Sequence, residues 1–95
     1  MSKRKLPLEL HATEQAHLDI EYWMKSGNQK IVDRINKLIS AALADPANGI
    51  GKPERLRFQT VETYSRRIDR SHRLIYRVEA ARLIILAARF HYDDK

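Results

Sequence analysis

The chain has 95 residues, enough for one domain with a single modest hydrophobic core. It contains no cysteine, which excludes a disulfide framework, a thiolate nucleophile and a cysteine-ligated zinc site. Its 18 Lys and Arg against 12 Asp and Glu give a net charge of +6, and residues 52–95 hold eleven of those bases but only six of the acids. Nine of the eleven are arginines, whose planar fork suits phosphate, so we expect an acidic partner: RNA, DNA, an acidic protein segment or an anionic membrane surface.

The N-terminal half is expected to form a strand and two helices. After a basic arm at residues 1–7, alternating leucines predict a short strand that ends near residue 11. Thr13 can cap a first helix of about a dozen residues that stops at Gly27. From Gln29, apolar residues recur every three or four positions, which predicts a second helix that ends before Pro46. The arm lacks the apolar stretch of a signal peptide and no run is long enough to span a membrane, so we expect a cytoplasmic protein without a membrane partner.

The C-terminal half changes to the period-two pattern of strands. Alternating apolar and polar residues predict four strands, at about 56–58, 64–68, 73–78 and 83–92. Several alanines make a C-terminal helix over 80–88 the competing prediction. Together the elements predict an α+β domain over residues 8–92, with the two helices packed on one face of an antiparallel sheet and the arginines lining a shallow groove on the other.

One carboxylate lies within a basic stretch, just after the glycine- and proline-rich loop predicted at 45–53. Glu54 stands between Lys52 on one side and Arg55 and Arg57 on the other. It is either an acid held by surface salt bridges to Arg55 or Arg57, or a carboxylate kept ionised beside a phosphate-binding cluster. Residue types alone leave both interpretations open.

Four motifs occur in order along the chain: Gly-Ile-Gly-Lys-Pro-Glu-Arg-Leu at 49–56, Tyr-Ser-Arg-Arg-Ile-Asp at 64–69, His-Arg-Leu-Ile-Tyr-Arg-Val at 72–78 and Arg-Phe-His-Tyr at 89–92. Over residues 8–92 they resemble the YoeB/Txe family of the RelE-like superfamily, the toxins of type II toxin-antitoxin modules. The resemblance implies the RelE-like (microbial RNase-like) fold and a ribosome-dependent endoribonuclease that cuts mRNA in the A site. It also implies two partners, the ribosome through its rRNA and A-site mRNA, and a YefM/Axe-like antitoxin that covers the basic groove. Relatives dimerise, so we also expect a homodimer.

Position by position, the resemblance assigns four catalytic residues. Glu54 is expected to take the proton from the ribose 2′-hydroxyl, Arg73 to stabilise the scissile phosphate, and His91 to protonate the leaving 5′-oxygen. Tyr92 is expected to orient the substrate or assist proton transfer. Attack by an internal 2′-hydroxyl needs an acid, a base and a cation but no metal, so we expect no metal and no cofactor.

Further basic residues are expected to contact RNA or phosphate, namely Lys52, Arg57, Arg66 and Arg67. Arg66 and Arg67 are neighbours on a predicted strand, so they point to opposite faces and at most one of them lines the groove directly. Residues 93–95 form a short tail beyond the terminal tyrosine of the family pattern.

Two other functions remain open from the sequence. A ParE-like toxin shares the fold and inhibits gyrase by binding without catalysis, but such a protein has no reason to carry Glu54, Arg73 and His91 together. A plain RNA-binding module is the third alternative, although the sheet lacks the paired aromatic stacking motifs of common RNA-binding domains.

Overall fold

The computed structural model describes residues 8–57 and 59–89, which form two helices and a five-stranded sheet. In chain order the elements are β1 (Glu9–Ala12), α1 (Glu14–Lys25), α2 (Gln29–Ala44), β2 (Glu54–Arg55), β3 (Thr63–Arg67), β4 (Arg73–Glu79) and β5 (Arg82–Ala87). The strand order across the sheet is β1-β5-β4-β3-β2. The predicted α+β class and the order of its elements are therefore confirmed.

Local signals fix the boundaries of the two helices, and both predictions are confirmed. The side chain of Thr13 accepts a hydrogen bond from the backbone N–H of Ala16 at 3.2 Å. Asn28 does the same for Ile31 at 3.4 Å, so each helix starts at a side-chain cap. Gly27 has a φ of +76°, a left-handed conformation that ends α1 and lets the chain turn into α2.

The sheet differs from the predicted one in its pairing and in two strands. β1 pairs with β5 in parallel, so the sheet is mixed rather than wholly antiparallel. β2 is only two residues long and lies ahead of the strand predicted at 56–58. The competing helix over 80–88 is wrong because Ala80, with a φ of +56°, lies in the turn that joins β4 to β5 as a hairpin.

The ends of the chain lie outside the described residues. They comprise the predicted arm at 1–7, the last three residues of the strand predicted at 83–92, and the tail at 93–95. Within residues 8–57 and 59–89, neither helix is both long and apolar enough to cross a membrane.

The hydrophobic core lies between the two helices and one face of the sheet. Its buried members include Ala16 and Trp23 from α1, Ile35, Leu38 and Ala42 from α2, and Leu74, Tyr76, Leu83 and Ile85 from β4 and β5. The apolar face of each helix is therefore covered by the sheet, as the helical periodicity predicts.

The opposite face of the sheet, which we call the second sheet face, carries three of the eight predicted site residues, Glu54, Arg67 and Arg73. Alternate residues of a strand point to opposite faces, so Arg73 and Ile75 of β4 face away from the core residues between them. Strand register adds Ser65 and Arg67 of β3 and Glu54 of β2. This face is not bare, because Ser65 and Ile75 are buried.

Candidate functional site

Strand pairing brings Glu54 and Arg73, two of the predicted catalytic residues, onto the second sheet face. Glu54 lies opposite Ser65 and Ser65 lies opposite Ile75, two residues along β4 from Arg73. With strands about 4.8 Å apart and about 3.3 Å per residue, the α carbons of Glu54 and Arg73 are about 12 Å apart. Both side chains are long enough to extend across β3 toward one ligand of nucleotide size.

Glu54 is exposed, and it forms no ion pair with any residue in 8–57 or 59–89. Arg55 points to the helix side of the sheet, where its guanidinium carbon lies 6.0 Å from the centre of the Tyr64 ring. Arg57 is exposed. The interpretation of Glu54 as an acid held by surface salt bridges therefore has no support in the described part of the chain.

Arg73 has a side-chain N–H that no residue in 8–57 or 59–89 uses as a hydrogen-bond donor. Its side chain is half-buried, and the buried Nε has no hydrogen-bond partner among the described residues. Arg67, which is exposed, lies directly opposite Arg73 on β3. An unsatisfied buried N–H and two neighbouring like charges are both unfavourable. An anion bound beside them removes both costs, so this pair suits a phosphate.

Arg66 was predicted to bind RNA, but the structure gives it a structural place instead. It is fully buried on the helix side of β3. Its guanidinium donates hydrogen bonds to the Tyr76 hydroxyl at 2.7 Å and to three carbonyls of residues 45–50 at 2.6 to 2.8 Å. With no exposed surface it cannot contact an external phosphate, and of the two adjacent arginines only Arg67 reaches the second sheet face.

The loop at residues 45–53 delivers the chain to Glu54 through a run of left-handed residues. Gly51 has a φ of +84° and Lys52 a φ of +50°. The carbonyl of Gly51 accepts a hydrogen bond from the backbone N–H of Arg67 at 2.7 Å, which ties the loop to β3. Lys52 is exposed and lies only two residues before Glu54, so its charge lies at the same edge of the sheet.

His91 and Tyr92, the other two predicted catalytic residues, lie outside the described residues, but Ala88 shortly before them is hydrogen-bonded to α1. The buried carboxylate of Asp19 accepts a hydrogen bond from the N–H of Ala88 at 2.9 Å. The indole N–H of Trp23 donates to the carbonyl of Ala88 at 2.9 Å. Side chains of α1 thus hydrogen-bond both backbone polar groups of Ala88, three residues before His91.

Sequence reasoning missed the role of Asp19, although a signal was available. An acid that follows Ala16 by three residues and precedes Trp23 by four lies on the buried face of the helix, where an unpaired carboxylate is costly. The residue after Ala88 also contacts α1, because the guanidinium carbon of Arg89 lies 3.4 Å from the centre of the Tyr22 ring. Trp23 is buried in the core, and Tyr22 is exposed at its rim.

His72 belongs to a structural turn on the core side of the site. Its ring packs edge-on against Trp23, with the ring centres 4.9 Å apart, and its Nδ1 lies 3.1 Å from Asp69. Burial, the largest single influence, raises the pKa of Asp69, but hydrogen bonds from the N–H groups of Ser71 and His72 and from the His72 ring outweigh it and lower the pKa. In residues 8–57 and 59–89, no three His, Cys, Asp or Glu side chains lie close enough together to hold a metal ion.

Comparison with known proteins identifies one family over most of the chain. The model of the family of YoeB-like toxins of bacterial type II toxin-antitoxin systems matches residues 12–92. Toxin YoeB of Synechocystis sp. is 44% identical over 71 residues, which are 75% of this chain and 83% of that protein. Among solved structures, the YoeB/ParE toxin from Agrobacterium tumefaciens is 38% identical with a TM-score of 0.83, over 90% of this chain and 100% of that chain.

YoeB of Staphylococcus aureus is similar in two solved assemblies. One is a dimer, with 35% identity and a TM-score of 0.78. The other is a complex with YefM, with 36% identity and a TM-score of 0.76. Each comparison covers 92% of this chain and 100% of the S. aureus chain.

Proposed function

Because the chain belongs to the family of YoeB-like toxins of bacterial type II toxin-antitoxin systems, we propose that it is a ribosome-dependent endoribonuclease that cuts mRNA in the A site. One observation supports this proposal above the others: Glu54 and Arg73 share the second sheet face. Glu54 is exposed without an ion pair, and Arg73 has a buried N–H without a partner, both within the described residues. Together they place a carboxylate that can act as a base and a cation that can stabilise a phosphate on one face, as cleavage by an internal 2′-hydroxyl requires.

In the proposed reaction, Glu54 takes the proton from a ribose 2′-hydroxyl, and the oxygen attacks the adjacent phosphorus. The bond from phosphorus to the 5′-oxygen of the next nucleotide breaks, and His91 gives its proton to that leaving oxygen. Arg73 and Arg67 stabilise the negative charge that develops on the phosphoryl oxygens. Tyr92 orients the substrate or assists proton transfer. The products are a 2′,3′-cyclic phosphate and a 5′-hydroxyl, and no metal takes part.

Three exposed basic residues at the edge of the site, Lys52, Arg57 and Arg67, are proposed to contact the RNA backbone. Contacts of this kind position RNA without reading its sequence, since phosphates are the same at every nucleotide. The affinity that such contacts provide falls as the salt concentration rises, because each basic residue that binds a phosphate must displace a counterion from it. Arg66 is omitted from this set because it is fully buried.

An antitoxin of the YefM kind is the proposed protein partner. The S. aureus relative was solved in complex with YefM, which supports the proposal for this chain. An acidic segment of the antitoxin lying on the second sheet face would pair with Arg67 and Arg73 and exclude the phosphate that they are proposed to bind. The S. aureus dimer supports a homodimer in the same way.

Primer extension on a reporter mRNA, with and without purified ribosomes, tests the proposed activity. Discrete cuts at fixed positions within codons are expected only when ribosomes are present. Glu54→Ala, Arg73→Ala and His91→Ala should each lower the cutting rate by about a hundredfold, the usual loss when one catalytic group is removed. Glu14→Ala and Arg82→Ala remove the same charges at exposed positions elsewhere and should cut like the unsubstituted protein.

Two results would contradict the proposal. One is an absence of cuts by the unsubstituted protein on translating ribosomes. The other is an equal loss of cutting in the control variants and in the site variants. In the first case, a gyrase supercoiling assay would decide whether the ParE-like alternative applies.

A further inference from the structure

Arg66 carries a buried positive charge that forms no ion pair with a carboxylate of the described residues. The nearest acid along its set of contacts, Asp45, directs its carboxylate at its own loop, to the N–H of Ala47 and the amide of Asn48. The pKa of Asp45 is lowered mainly by hydrogen bonds from Asn48 and Ala47, and the charge of Arg66 adds only a smaller contribution. A buried unpaired charge costs stability, and an apolar residue of similar volume is often more stabilising. The position of Arg66 therefore calls for an explanation other than packing.

The guanidinium is surrounded by the backbone of the loop that precedes Glu54. Its terminal nitrogens donate to the carbonyls of Asp45, Asn48 and Ile50 at 2.6, 2.8 and 2.8 Å. Its Nε donates to the hydroxyl of Tyr76 at 2.7 Å, and that hydroxyl in turn donates to the carbonyl of Pro46 at 2.6 Å.

Two side chains thus satisfy four carbonyls of a segment that is only six residues long. Burial raises the pKa of Tyr76, so its hydroxyl stays protonated at neutral pH and remains a donor to Pro46. The planar fork of Arg66 fixes the directions of the bonds as well as their number. A lysine at this position would keep the charge but could not bind the same carbonyls in the same directions.

The position of Glu54 depends on this loop more than on the sheet. β2 is a two-residue edge strand, so few ladder hydrogen bonds hold Glu54 in register. Gly49 and Gly51 adopt left-handed conformations without strain, but Lys52, with a φ of +50°, is a non-glycine residue that keeps such a conformation only where its surroundings over-determine it. The contacts of Arg66 with residues 45–50 supply that constraint.

We propose that Arg66 and Tyr76 form a positioning pair, which holds the 45–53 loop in the conformation that presents Glu54 to the RNA. This inference rests on the proposed function of Glu54 as a general base. Neither residue of the pair touches the substrate, because both are fully buried among the described residues. Their effect on cleavage passes through the loop to the carboxylate.

Tyr76→Phe is the sharpest test because it removes one hydroxyl and keeps the ring in the core. It leaves the carbonyl of Pro46 and the Nε of Arg66 without their partner. Tyr64→Phe is the matched control: its ring stacks on Tyr76 with centres 5.6 Å apart, but its hydroxyl donates to Glu62 and not to the loop.

Single-turnover cleavage of ribosome-bound mRNA by the full chain should fall between about tenfold and a hundredfold in Tyr76→Phe, the range expected when a catalytic group is displaced by about an ångström. The loss should appear in the maximal rate, while the ribosome concentration that gives half-maximal cleavage should not change. Tyr64→Phe should cleave at the unsubstituted rate. Amide exchange should rise in residues 46–55 of Tyr76→Phe alone.

A double-mutant cycle with Glu54→Ala separates positioning from general weakening of the fold. If Tyr76 acts through Glu54, Tyr76→Phe should lower the residual rate of Glu54→Ala little or not at all. An equal fold loss in both backgrounds would overturn the inference, as would an unchanged rate or unchanged exchange in Tyr76→Phe. The proposed function fails separately, when the unsubstituted protein makes no cuts, and the exchange measurement then still shows whether the pair orders the loop.

Discussion

Replacing Gly51 by alanine should disturb the loop that carries Glu54 far more than the same change at another left-handed glycine. Gly51 and Gly27 have similar φ values, +84° and +76°. A β carbon on Gly51 would lie 2.6 Å from Cδ2 of Leu38 and 3.2 Å from Cβ of Arg66, whereas one on Gly27 would have no neighbour within 4 Å. Leu38 is fully buried, so its side chain has little room to move away.

The free-energy cost follows from these contacts. A left-handed alanine costs about 1 to 2 kcal/mol, and the loss of unfolded-state freedom returns about 0.4 to 1 kcal/mol. Gly27→Ala should therefore destabilise by about 0 to 1.6 kcal/mol. Gly51→Ala adds the overpacking of a dense core, about 1 to 3 kcal/mol. Each kcal/mol lowers the melting temperature of a domain of this size by about 4 to 8 °C.

Urea unfolding followed by tryptophan fluorescence measures the difference, because Trp23 is the only tryptophan and is buried. Gly51→Ala should unfold at clearly lower urea than Gly27→Ala, with an unchanged slope. It should also lose cleavage at temperatures where it is still folded. Equal destabilisation of the two variants would refute the close packing of the loop against Leu38 and β3.

Four further predictions concern separate contacts. Trp23→Phe removes the hydrogen bond from the indole N–H to the carbonyl of Ala88 and should lower the free energy of unfolding by about 1 to 2 kcal/mol. A urea titration followed by circular dichroism measures this loss, and an unchanged midpoint would show that the hydrogen bond does not stabilise the fold. Asp19→Leu leaves the N–H of Ala88 unsatisfied and should cost about 1 to 3 kcal/mol in the same assay, whereas no loss would show that the N–H finds another partner. Arg67→Ala should weaken cleavage and its salt dependence while the melting temperature stays the same; a shifted melting temperature would make Arg67 structural. The pKa of Asp69 is lowered in the folded state from its usual 3.8, so the ionised carboxylate should stabilise the fold fully above pH 3.8 and progressively less as the pH falls through the folded-state pKa. The melting temperature of Asp69→Asn should therefore fall less in acid than that of the unsubstituted protein. The same fall in both proteins would contradict the stabilising role of the Asp69 carboxylate.

The helices could be predicted from the sequence because their signals are local. The cap at Thr13, the left-handed Gly27 and the apolar periodicity from Gln29 all act within a few residues, and the structure confirms each of them. The pairing of β1 with β5 depends on chain segments about seventy residues apart, for which no local pattern exists. A two-residue strand such as β2 is too short to show a period at all.

The site could be predicted only in part, because its local features can be read from the sequence and its long-range contacts cannot. Strand alternation alone separates Arg66 from Arg67, but it does not say which of them faces the helices. The answer depends on a loop whose carbonyls converge on Arg66, a contact across 16 to 21 residues. Arginine is seldom fully buried, so the general tendency of this residue type predicts an exposed Arg66, which is wrong here. The common face of Glu54 and Arg73 likewise depends on the register of three strands.

The chemistry of the RNA ends at a mapped cut shows whether the ribose 2′-hydroxyl is the nucleophile of the reaction. The full chain is incubated with ribosomes and an mRNA that carries either the natural ribose or a single 2′-deoxyribose at the nucleotide before the cut. Cleavage by the 2′-hydroxyl with Glu54 as base predicts a 2′,3′-cyclic phosphate and a 5′-hydroxyl on the natural RNA, and no cut at the deoxy position. A 5′-phosphate end, or cleavage at the 2′-deoxyribose, would contradict the proposed reaction, because both require water rather than the ribose hydroxyl as the nucleophile.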